Sequence, residues 1–462
     1  MKRTLAQFAA TCAGRLVGAD AQFAEVVIDS RQVRSGDLFL ALPGTRADGH
    51  DFVASAGAAG ALVSRTLDAP LPQILVQDVE QALTAAGAAW RAGYGGTVLG
   101  VAGSNGKTTT KEMLAAILAQ RGECLATRGN LNNHLGVPLT LLRLAARYSG
   151  AVIEIGANRA GEVAALVALA RPAIGLITNA GAEHLEGFGS LEGVARAEGE
   201  MVAGLAADGV AVINADDEYA PLWRSLTRAR VLDFGLAPGA AVRATGVRLE
   251  VTAQGFVTRF SLHGTAGSVP VELALAGRHN VSNALAAAAA AIAAGASLQQ
   301  VAAGLASVRA VAGRMQFKPL RGGAWLIDDS YNANPSSARA ALEVLGELAG
   351  ERHLVLGDMA ELGEHAAGSH RDIGTLARQL GVERLYTFGA LAALAADAFG
   401  AGAERYTDIE PLTRAVAGAL HAEVRLLVKG SRVNRLERLV GALTAEAGAG
   451  AGAGARELRR AV

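Results

Sequence analysis

The sequence predicts an α/β protein of three domains. Short apolar runs, typical of strands buried in a parallel sheet, alternate along the chain with segments of helical periodicity. The length of 462 residues corresponds to three domains of about 150 residues each. One strand-to-helix junction also carries a glycine-rich turn with a lysine, a pattern typical of phosphate-binding loops. We therefore expect a small N-terminal domain, a central P-loop-type domain with a mostly parallel sheet, and a C-terminal Rossmann-like domain.

The N-terminal domain is predicted to span residues 1–95 and to end at a glycine-rich segment. Leu5, Phe8, Ala9 and Cys12 recur at helical spacing, so the first segment is interpreted as a helix and not as a signal peptide. The predicted strands that follow are separated by turn residues and lie at 26–28, 38–42, 61–63 and 74–76.

The central domain is predicted to span residues 96–312. Its near-continuous apolar strands, which indicate a sheet covered on both faces, lie at 98–102, 151–155, 174–178 and 210–214. Between about residues 231 and 275 the pattern changes to alternation with period two, which predicts an antiparallel insert. The alanine tract at 284–294 lacks large side chains and is interpreted as a buried helix.

The C-terminal domain is predicted to span residues 313–446 and to be doubly wound, with helices on both faces of a parallel sheet. Its predicted strands lie at 325–327, 354–356, 384–388 and 426–428. Residues 447–462 begin with strict alternation of alanine and glycine and are predicted to be a disordered tail.

Charge and composition exclude several classes of partner. The chain has 43 Lys and Arg against 43 Asp and Glu, so bulk electrostatics give no reason to expect nucleic acid or an anionic membrane. No apolar run approaches the ~18 residues of a membrane span, so we expect no membrane insertion. Two cysteines, Cys12 and Cys124, argue for a reducing compartment, which we interpret as the cytoplasm. Without an extended heptad repeat, we expect a monomer.

The glycine-rich turn lies between a predicted strand and a predicted helix, where a phosphate-binding loop belongs. The usual P-loop places a glycine where this chain has Val101, so the match is to a shorter loop, Gly-x-x-Gly-Lys-Thr. Lys107 is predicted to contact β- and γ-phosphates and Thr108 to bind Mg²⁺. The alternative is a structural turn without a ligand. The predicted loop residues are Gly103, Ser104, Asn105, Gly106, Lys107, Thr108 and Thr109.

Three polar residues are candidates for a metal site. Glu154 interrupts a buried apolar strand, where a carboxylate needs a compensating cation. His184 follows the next strand, at the edge of the sheet where ligands collect. Glu198 lies on the apolar face of a predicted helix and needs a partner there. The alternatives are that Glu154 reaches water at a strand end and that His184 is structural.

Further polar residues gather around the junction of the second and third domains. They are His279, Asn280, Asn283, Arg314, Asp329, Asn332 and Asn334. The first three open the alanine-rich helix, and the last three follow the first strand of the C-terminal domain. For Asn280 and Asn334, plain helix N-caps are the alternative.

These motifs resemble the Mur ligase family of ATP-dependent amide ligases, and the likeness covers nearly the whole chain except the tail. The segment 103–109 is similar to the family's ATP loop, Glu154 to its Mg²⁺ carboxylate, and 178–184 to its second metal motif. Residues 277–283, Arg314 and Asp329 resemble the groups for adenine, γ-phosphate and ribose. The resemblance implies ATP and Mg²⁺ as cofactors, with Lys107, His184 and Arg314 as catalytic residues and Thr108, Glu154, His184 and Glu198 at the metals.

Within the family, three segments resemble the member that adds D-alanyl-D-alanine: 127–138, 329–335 and 356–363. Segments 29–31, 36–39 and 48–52 resemble the UDP-sugar-binding domain. The resemblance implies ligation of D-alanyl-D-alanine to the peptide carboxylate of UDP-N-acetylmuramoyl-tripeptide, through an acyl phosphate, in peptidoglycan precursor synthesis. It implies substrate contacts by Ser30, Arg31, Asn132, Asn133, Asn332 and Asn334.

Position 198 departs from the family, which commonly carries a carbamylated lysine there. Glu198 keeps the negative charge but is shorter by roughly 3–4 Å at ordinary bond lengths. Our hypothesis is that Glu198 acts on a second Mg²⁺ through water, which Mg²⁺ readily retains.

Three rival functions stay open at this stage. A P-loop kinase would need only the central domain. A ligase similar to folylpolyglutamate synthase would share the ATP site but would not be expected to carry the motif around Ser30. A nucleotide-binding regulatory module without catalysis would not need Glu154 and His184 as a pair.

Overall fold

The computed structural model describes residues 3–44, 47–252 and 255–445, and the predicted tail at 447–462 lies outside them. The α/β class is confirmed, with helices packed on three largely parallel sheets and one short antiparallel pair. Within the described residues, no helix is both long and apolar enough to cross a membrane.

The N-terminal unit combines a two-stranded sheet with a five-stranded one of order β2-β7-β6-β5-β4. The predicted first helix is confirmed, and Thr4 and Gln7 form a capping box at its start. The prediction of a strand at 26–28 is confirmed by β4, whereas the two-residue strands β1 and β3 were not predicted, because they are too short to show a period. The elements are β1 (Arg3–Thr4), α1 (Leu5–Thr11), β2 (Arg15–Val17), β3 (Gln22–Phe23), β4 (Val26–Val27), β5 (Leu38–Leu40), β6 (Gly60–Val63) and β7 (Gln73–Leu75).

A long helix, α2 (Val79–Ala92), connects the N-terminal unit to the central one. Asp78 caps it by accepting hydrogen bonds from the N–H groups of Glu80 and Gln81. Its buried side chains join the N-terminal core, which also includes Leu139 and Leu142 of the central unit. The two units therefore share apolar contacts across α2.

The central unit is built on a nine-stranded sheet of order β16-β15-β14-β13-β12-β11-β8-β10-β9. Its strands are β8 (Thr97–Ala102), β9 (Cys124–Ala126), β10 (Gly150–Glu154), β11 (Ile174–Ile177), β12 (Val210–Asn214), β13 (Arg230–Gly235), β14 (Val242–Thr252), β15 (Gly255–Gly264) and β16 (Gly267–Leu273). Its helices are α3 (Lys107–Leu118), α4 (Gly136–Leu141), α5 (Glu162–Ala170), α6 (Leu185–Phe188), α7 (Leu191–Ala203), α8 (Ala220–Leu226), α9 (Arg278–Ala293) and α10 (Leu298–Ser307).

The antiparallel part of this sheet differs from the predicted insert in one respect. Strand β13 lies within the predicted insert but pairs in parallel with β12, and only β14, β15 and β16 pair antiparallel. The antiparallel strands extend the parallel sheet at one edge. The alanine tract is confirmed as a buried helix, α9, whose small side chains allow close packing against α3 and the sheet.

The C-terminal unit has a six-stranded sheet of order β17-β18-β22-β19-β20-β21, parallel except for the edge strand β17. The carboxyl ends of β18 and β22 lie side by side and place Asp329 next to Lys429. The elements are β17 (Gln316–Pro319), β18 (Trp325–Asp329), α11 (Pro335–Gly346), β19 (Glu351–Gly357), α12 (Ala366–Gln379), β20 (Arg384–Phe388), α13 (Ala392–Phe399), β21 (Ala403–Tyr406), α14 (Ile409–Gly418) and β22 (Val424–Lys429).

Candidate active site

A cavity of about 580 Å³ lies between the central and C-terminal units. It brings together most of the residues predicted for the site. Those on its wall are Ser104, Asn105, Gly106, Lys107, Thr108, Thr109, Asn132, Asn133, Glu154, His184, His279, Asn280, Asn283, Arg314, Asp329, Asn332 and Asn334. Gly103, Glu198, Ser30 and Arg31 do not line it.

The phosphate-loop turn requires its two glycines. Gly103 and Gly106 have φ of +119° and +81°, in the left-handed region. A Cβ at Gly103 would lie 2.1 Å from Thr178 Oγ1, and one at Gly106 would lie 2.2 Å from Asn283 Oδ1. The backbone can therefore approach these neighbours only because side chains are absent. The loop leads into the N-terminus of α3, where free N–H groups favour an anion.

Lys107 is held inside the loop. Its Nζ donates hydrogen bonds to the carbonyls of Gly103 and Ser104, at 2.5 and 3.1 Å, and to Glu183 Oε1 at 3.1 Å. Burial disfavours the ammonium, but the carboxylates of Glu183, Glu198 and Glu154 outweigh it and raise the pKa of Lys107 above its ordinary value. The side chain is therefore a permanent positive charge beside the cavity. Glu183 was not predicted.

Glu154 joins the phosphate loop to the loop that carries Asn132. Thr108 Oγ1 and Asn132 Nδ2 both donate to Glu154 Oε1, at 3.1 and 2.8 Å. The other carboxylate oxygen, Oε2, is buried without a hydrogen-bond partner, and Lys111 Nζ lies 3.8 Å from it. A buried carboxylate oxygen without a hydrogen bond can accept a further donor or cation.

Lys111 is fully buried behind this site. Its Nζ donates to the carbonyl of Thr127 at 2.7 Å and forms an ion pair with Glu112 at 2.9 Å. Thr127 in turn accepts the backbone N–H of Glu154 at 3.0 Å. Lys111 thus ties helix α3 to the start of the loop that carries Asn132.

Glu198 lies behind the phosphate loop. Its Oε2 accepts the backbone N–H of Gly103 at 2.7 Å, and its side chain is buried. Burial raises the pKa of Glu198 to about 7, a shift that Lys107 opposes and Glu183 reinforces. The backbone of the phosphate loop is therefore the partner that the buried carboxylate of Glu198 needs.

His184 links the central unit to the C-terminal unit. It adopts a left-handed backbone conformation, with φ of +47°, and its Nδ1 lies 2.7 Å from Glu361 Oε2. Glu361 also has a positive φ, of +65°. Both residues therefore lie in the sparsely populated left-handed region, and their side chains meet between the two units.

A second link joins the phosphate loop to the start of α11. Asn105 Nδ2 donates to Ser336 Oγ at 3.0 Å, and Asn334 Nδ2 donates to Asn105 Oδ1 at 2.9 Å. Asn334 also caps α11 in a capping box with Ser337, so the N-cap alternative holds for it alongside its place on the cavity wall. The same alternative is wrong for Asn280, which lies inside α9 and donates to the carbonyl of Ala276.

Further predicted residues on the cavity wall are Arg314, Asp329, Asn332 and His279. The Arg314 guanidinium stacks on Tyr331 at 4.3 Å from the ring centroid. Asp329 pairs with Lys429 at 2.5 Å, and Lys429 also donates to the carbonyl of Asn332 at 3.0 Å. Burial lowers the pKa of His279 to about 4, so the imidazole is neutral at pH 7.

Ser30 and Arg31 are not brought to this cavity. They begin the short 3₁₀ helix Ser30–Gln32 in the N-terminal unit, and Asp29 caps that helix through the Arg31 N–H. Arg31 is 87% exposed and forms a two-point contact with Asp29, through Nε at 2.9 Å and Nη2 at 2.8 Å. This contact lowers the pKa of Asp29 to about 2.

Among the described residues, no group of three or more His, Cys, Asp and Glu side chains is arranged to hold a metal. Thr108 and Glu154 lie together on the cavity wall and offer a hydroxyl and a carboxylate. Such a site suits Mg²⁺, which uses few protein oxygens and completes its shell with water and phosphate. The residues present therefore fit that ion.

Sequence profiles of three Mur ligase domains match the chain. The Mur ligase middle domain matches residues 101–291, the glutamate ligase domain 313–432, and the profile described as the family's catalytic domain 22–116. The UDP-N-acetylmuramoyl-tripeptide–D-alanyl-D-alanine ligase of Escherichia coli is 45% identical over 446 residues, covering 95% of this chain and 98% of that protein. The chain belongs to the Mur ligase family.

Further Mur ligases are also similar to the chain over most of its length. The ligase of the same name from Mycobacterium tuberculosis is 38% identical, in an alignment that covers 91% of this chain and 92% of that protein. A crystal structure of MurF from Acinetobacter baumannii superposes with a TM-score of 0.88 at 35% identity, covering 96% and 99% of the two chains. MurF from Thermotoga maritima in complex with ADP superposes at 0.78 with 27% identity, covering 91% and 97%.

Several contacts in this Mur ligase site were not predicted. They involve Lys111, Glu183, Tyr331, Glu361 and Lys429. Tyr331 and Glu361 lie within segments already recognised as Mur ligase motifs, and Glu183 precedes His184. Lys111 had one available signal, since it lies four residues after Lys107 and so faces the same side of α3.

Proposed function

We propose that the chain joins D-alanyl-D-alanine to the peptide carboxylate of UDP-N-acetylmuramoyl-tripeptide with ATP, in cytoplasmic peptidoglycan precursor synthesis. The relative at 45% identity over 95% of the chain supports this reaction. The observation that carries the proposal is the contact of Thr108 and Asn132 with one oxygen of Glu154. It connects the phosphate loop to Asn132, an implied substrate contact in the segment 127–138. A kinase or a regulatory module would not require this connection.

A carboxylate does not react usefully with an amine, because oxide is a poor leaving group. Transfer of the γ-phosphoryl group to the acceptor carboxylate gives an acyl phosphate, and attack by the dipeptide amine then expels phosphate. In this chain, Lys107 and Arg314 are the cations on the cavity wall that would neutralise charge on the transferred group. Thr108 and Glu154 would hold Mg²⁺, which supplies further charge neutralisation when bound.

The remaining residues would position substrates and exclude water. Asn132 and Asn133 would hold the acceptor peptide, while Asn332 and Asn334 of the C-terminal unit would face the dipeptide. The contacts of Asn105 with Asn334 and Ser336 keep the C-terminal unit against the phosphate loop. Water would otherwise hydrolyse the acyl phosphate.

The proposal predicts that ADP release depends on both substrates. With ATP, Mg²⁺ and the UDP-tripeptide alone, we expect slow ADP release, and adding D-alanyl-D-alanine should raise the rate at least tenfold. A coupled assay with each component omitted in turn measures this. Dihydrofolate with glutamate is the control pair for the folylpolyglutamate alternative, and a rate unaffected by the dipeptide would sink the proposal.

The hypothesis that Glu198 acts on a second Mg²⁺ through water stays a prediction, and its pKa of about 7 makes it testable. Protonation competes with any cation that uses the carboxylate. Raising the pH from 6 to 8 should therefore lower the Mg²⁺ concentration needed for half-maximal ADP release. In Glu198→Gln this pH dependence should largely vanish. Only the pH dependence of Mg²⁺ binding to ATP itself should remain.

Equal pH dependence in the wild type and Glu198→Gln would refute the metal role and leave Glu198 as a ligand of the Gly103 N–H only. Glu198→Lys, assayed with and without bicarbonate, would show whether the site can use a carbamate.

A further inference from the structure

A second cavity, of about 360 Å³, lies between the N-terminal and central units. We call it the Arg3 pocket. Its wall includes Arg3 and the segment Gln22–Glu25 from one unit, with Trp90 of α2 and the segment Arg143–Tyr148 from the other side. It shares no lining residue with the candidate active site. Its volume lies in the range of small-molecule sites.

The wall of the Arg3 pocket is strongly positive in a chain of zero net charge. Four arginines line it, Arg3, Arg128, Arg143 and Arg147, against the single carboxylate of Glu25. Arg128 lies 3.8 Å from Glu25, and Arg147 pairs at 3.2 Å with a glutamate outside the wall. Within the described part of the chain, neither Arg3 nor Arg143 has a carboxylate oxygen within 4 Å. The pocket therefore holds more positive than negative charge.

Three of these guanidinium groups are held in place by neighbours. Arg3 stacks on Trp90 at 4.6 Å, and Arg147 stacks on Tyr148 at 4.5 Å. Arg143 donates to the carbonyl of Ala126 at 3.4 Å. Stacked guanidinium groups keep part of their N–H fork free and lose little freedom on binding, which suits them to phosphate oxygens.

The arginines also repel one another. Burial lowers the pKa of Arg3, and Arg147 adds to that effect while Glu25 opposes it. Burial likewise lowers the pKa of Arg143, with Arg128 and Arg147 contributing. A bound anion would relieve this repulsion.

We propose that the Arg3 pocket binds a diphosphate group. A dianion or trianion matches the excess of arginines, and two phosphoryl groups offer enough oxygens for guanidinium groups on opposite walls. Because Arg3 belongs to the N-terminal unit and Arg143 to the central one, the ligand would bridge the two. The diphosphate could be free or part of a nucleotide, and the pocket has room for an attached organic group.

Isothermal titration of pyrophosphate into the nucleotide-free, full-length protein at low ionic strength tests this. We expect two classes of site. Arg3→Gln/Arg143→Gln should weaken one at least tenfold, and Lys107→Met should weaken only the other. The matched control, Arg228→Gln/Arg248→Gln, removes the same charge from exposed positions that line neither cavity and should keep both sites.

A single site in the wild type that Lys107→Met abolishes would overturn the proposal. An equal loss in the control would overturn it as well, because bulk charge would then explain the binding. If the double variant fails to fold, the more exposed Arg147→Gln takes its place, with a smaller loss expected at the same site. Competition by UDP decides whether a nucleotide's diphosphate or only the free anion occupies the pocket.

Discussion

Replacing Lys107 by methionine should lower the rate of ADP release by about 10²–10³-fold, the usual loss when one charge-stabilising donor is removed from an active site. The ammonium is fixed between two loop carbonyls and Glu183, and three nearby carboxylates keep it charged. Methionine has a similar length but no charge. The fall should be in kcat more than in the KM for the UDP-tripeptide, because the role proposed for the lysine is to neutralise charge on the transferred phosphoryl group.

Steady-state kinetics with all three substrates measure this effect. Lys318→Met is the matched control, since Lys318 pairs with Asp328 and does not line the cavity. It should keep turnover close to that of the wild type. Near-normal kcat in Lys107→Met would contradict the assignment of the phosphate loop.

Replacing Lys111 by methionine should destabilise the protein by about 3–5 kcal/mol, the usual cost of breaking a buried charge pair from one side. The loss removes the cation that lies 3.8 Å from the buried Glu154 Oε2 and frees the carbonyl of Thr127. For a unit of this size the melting temperature should fall by about 10 °C. The loop that carries Asn132 should also loosen, so the KM for the UDP-tripeptide should rise more than the KM for ATP.

Differential scanning fluorimetry and substrate titrations measure the two effects. Glu112→Gln removes the half-exposed partner of the same lysine, and an exposed pair contributes about 1 kcal/mol or less. A melting temperature for Lys111→Met close to that of Glu112→Gln would show that the buried lysine contributes little.

The sequence predicted much of this site because its signals are local. Gly103 and Gly106 are needed for the backbone geometry of the loop, and that requirement is visible as a motif. Glu154 was detectable because a carboxylate within an apolar strand is costly without compensation. The structure places it beside Thr108.

The sequence could not show which distant segments contact one another. The sequence correctly placed Glu198 on the buried face of a helix. Only the fold shows that it faces the back of the loop at Gly103 and not the cavity. Ser30 and Arg31 match a motif, but the path of the chain keeps them off the cavity wall.

The scarcity of lysine is a signal in the composition that the search for motifs did not use. Basic residues in this chain are mostly arginine, and its lysines are confined to Lys2, Lys107, Lys111, Lys318 and Lys429. Lys107, Lys111 and Lys429 lie in or directly behind the cavity. A lysine presents its charge as a compact point charge on a flexible stem, with three donors.

The central claim is that an acyl phosphate forms on the acceptor and is resolved by the dipeptide amine. Labelling the terminal acceptor carboxylate with ¹⁸O tests it most directly, because the bridging oxygen of an acyl phosphate leaves with the phosphate. We predict one ¹⁸O in the released phosphate, by mass spectrometry, for each pentapeptide formed. Unlabelled phosphate accompanying amide formation would contradict the account.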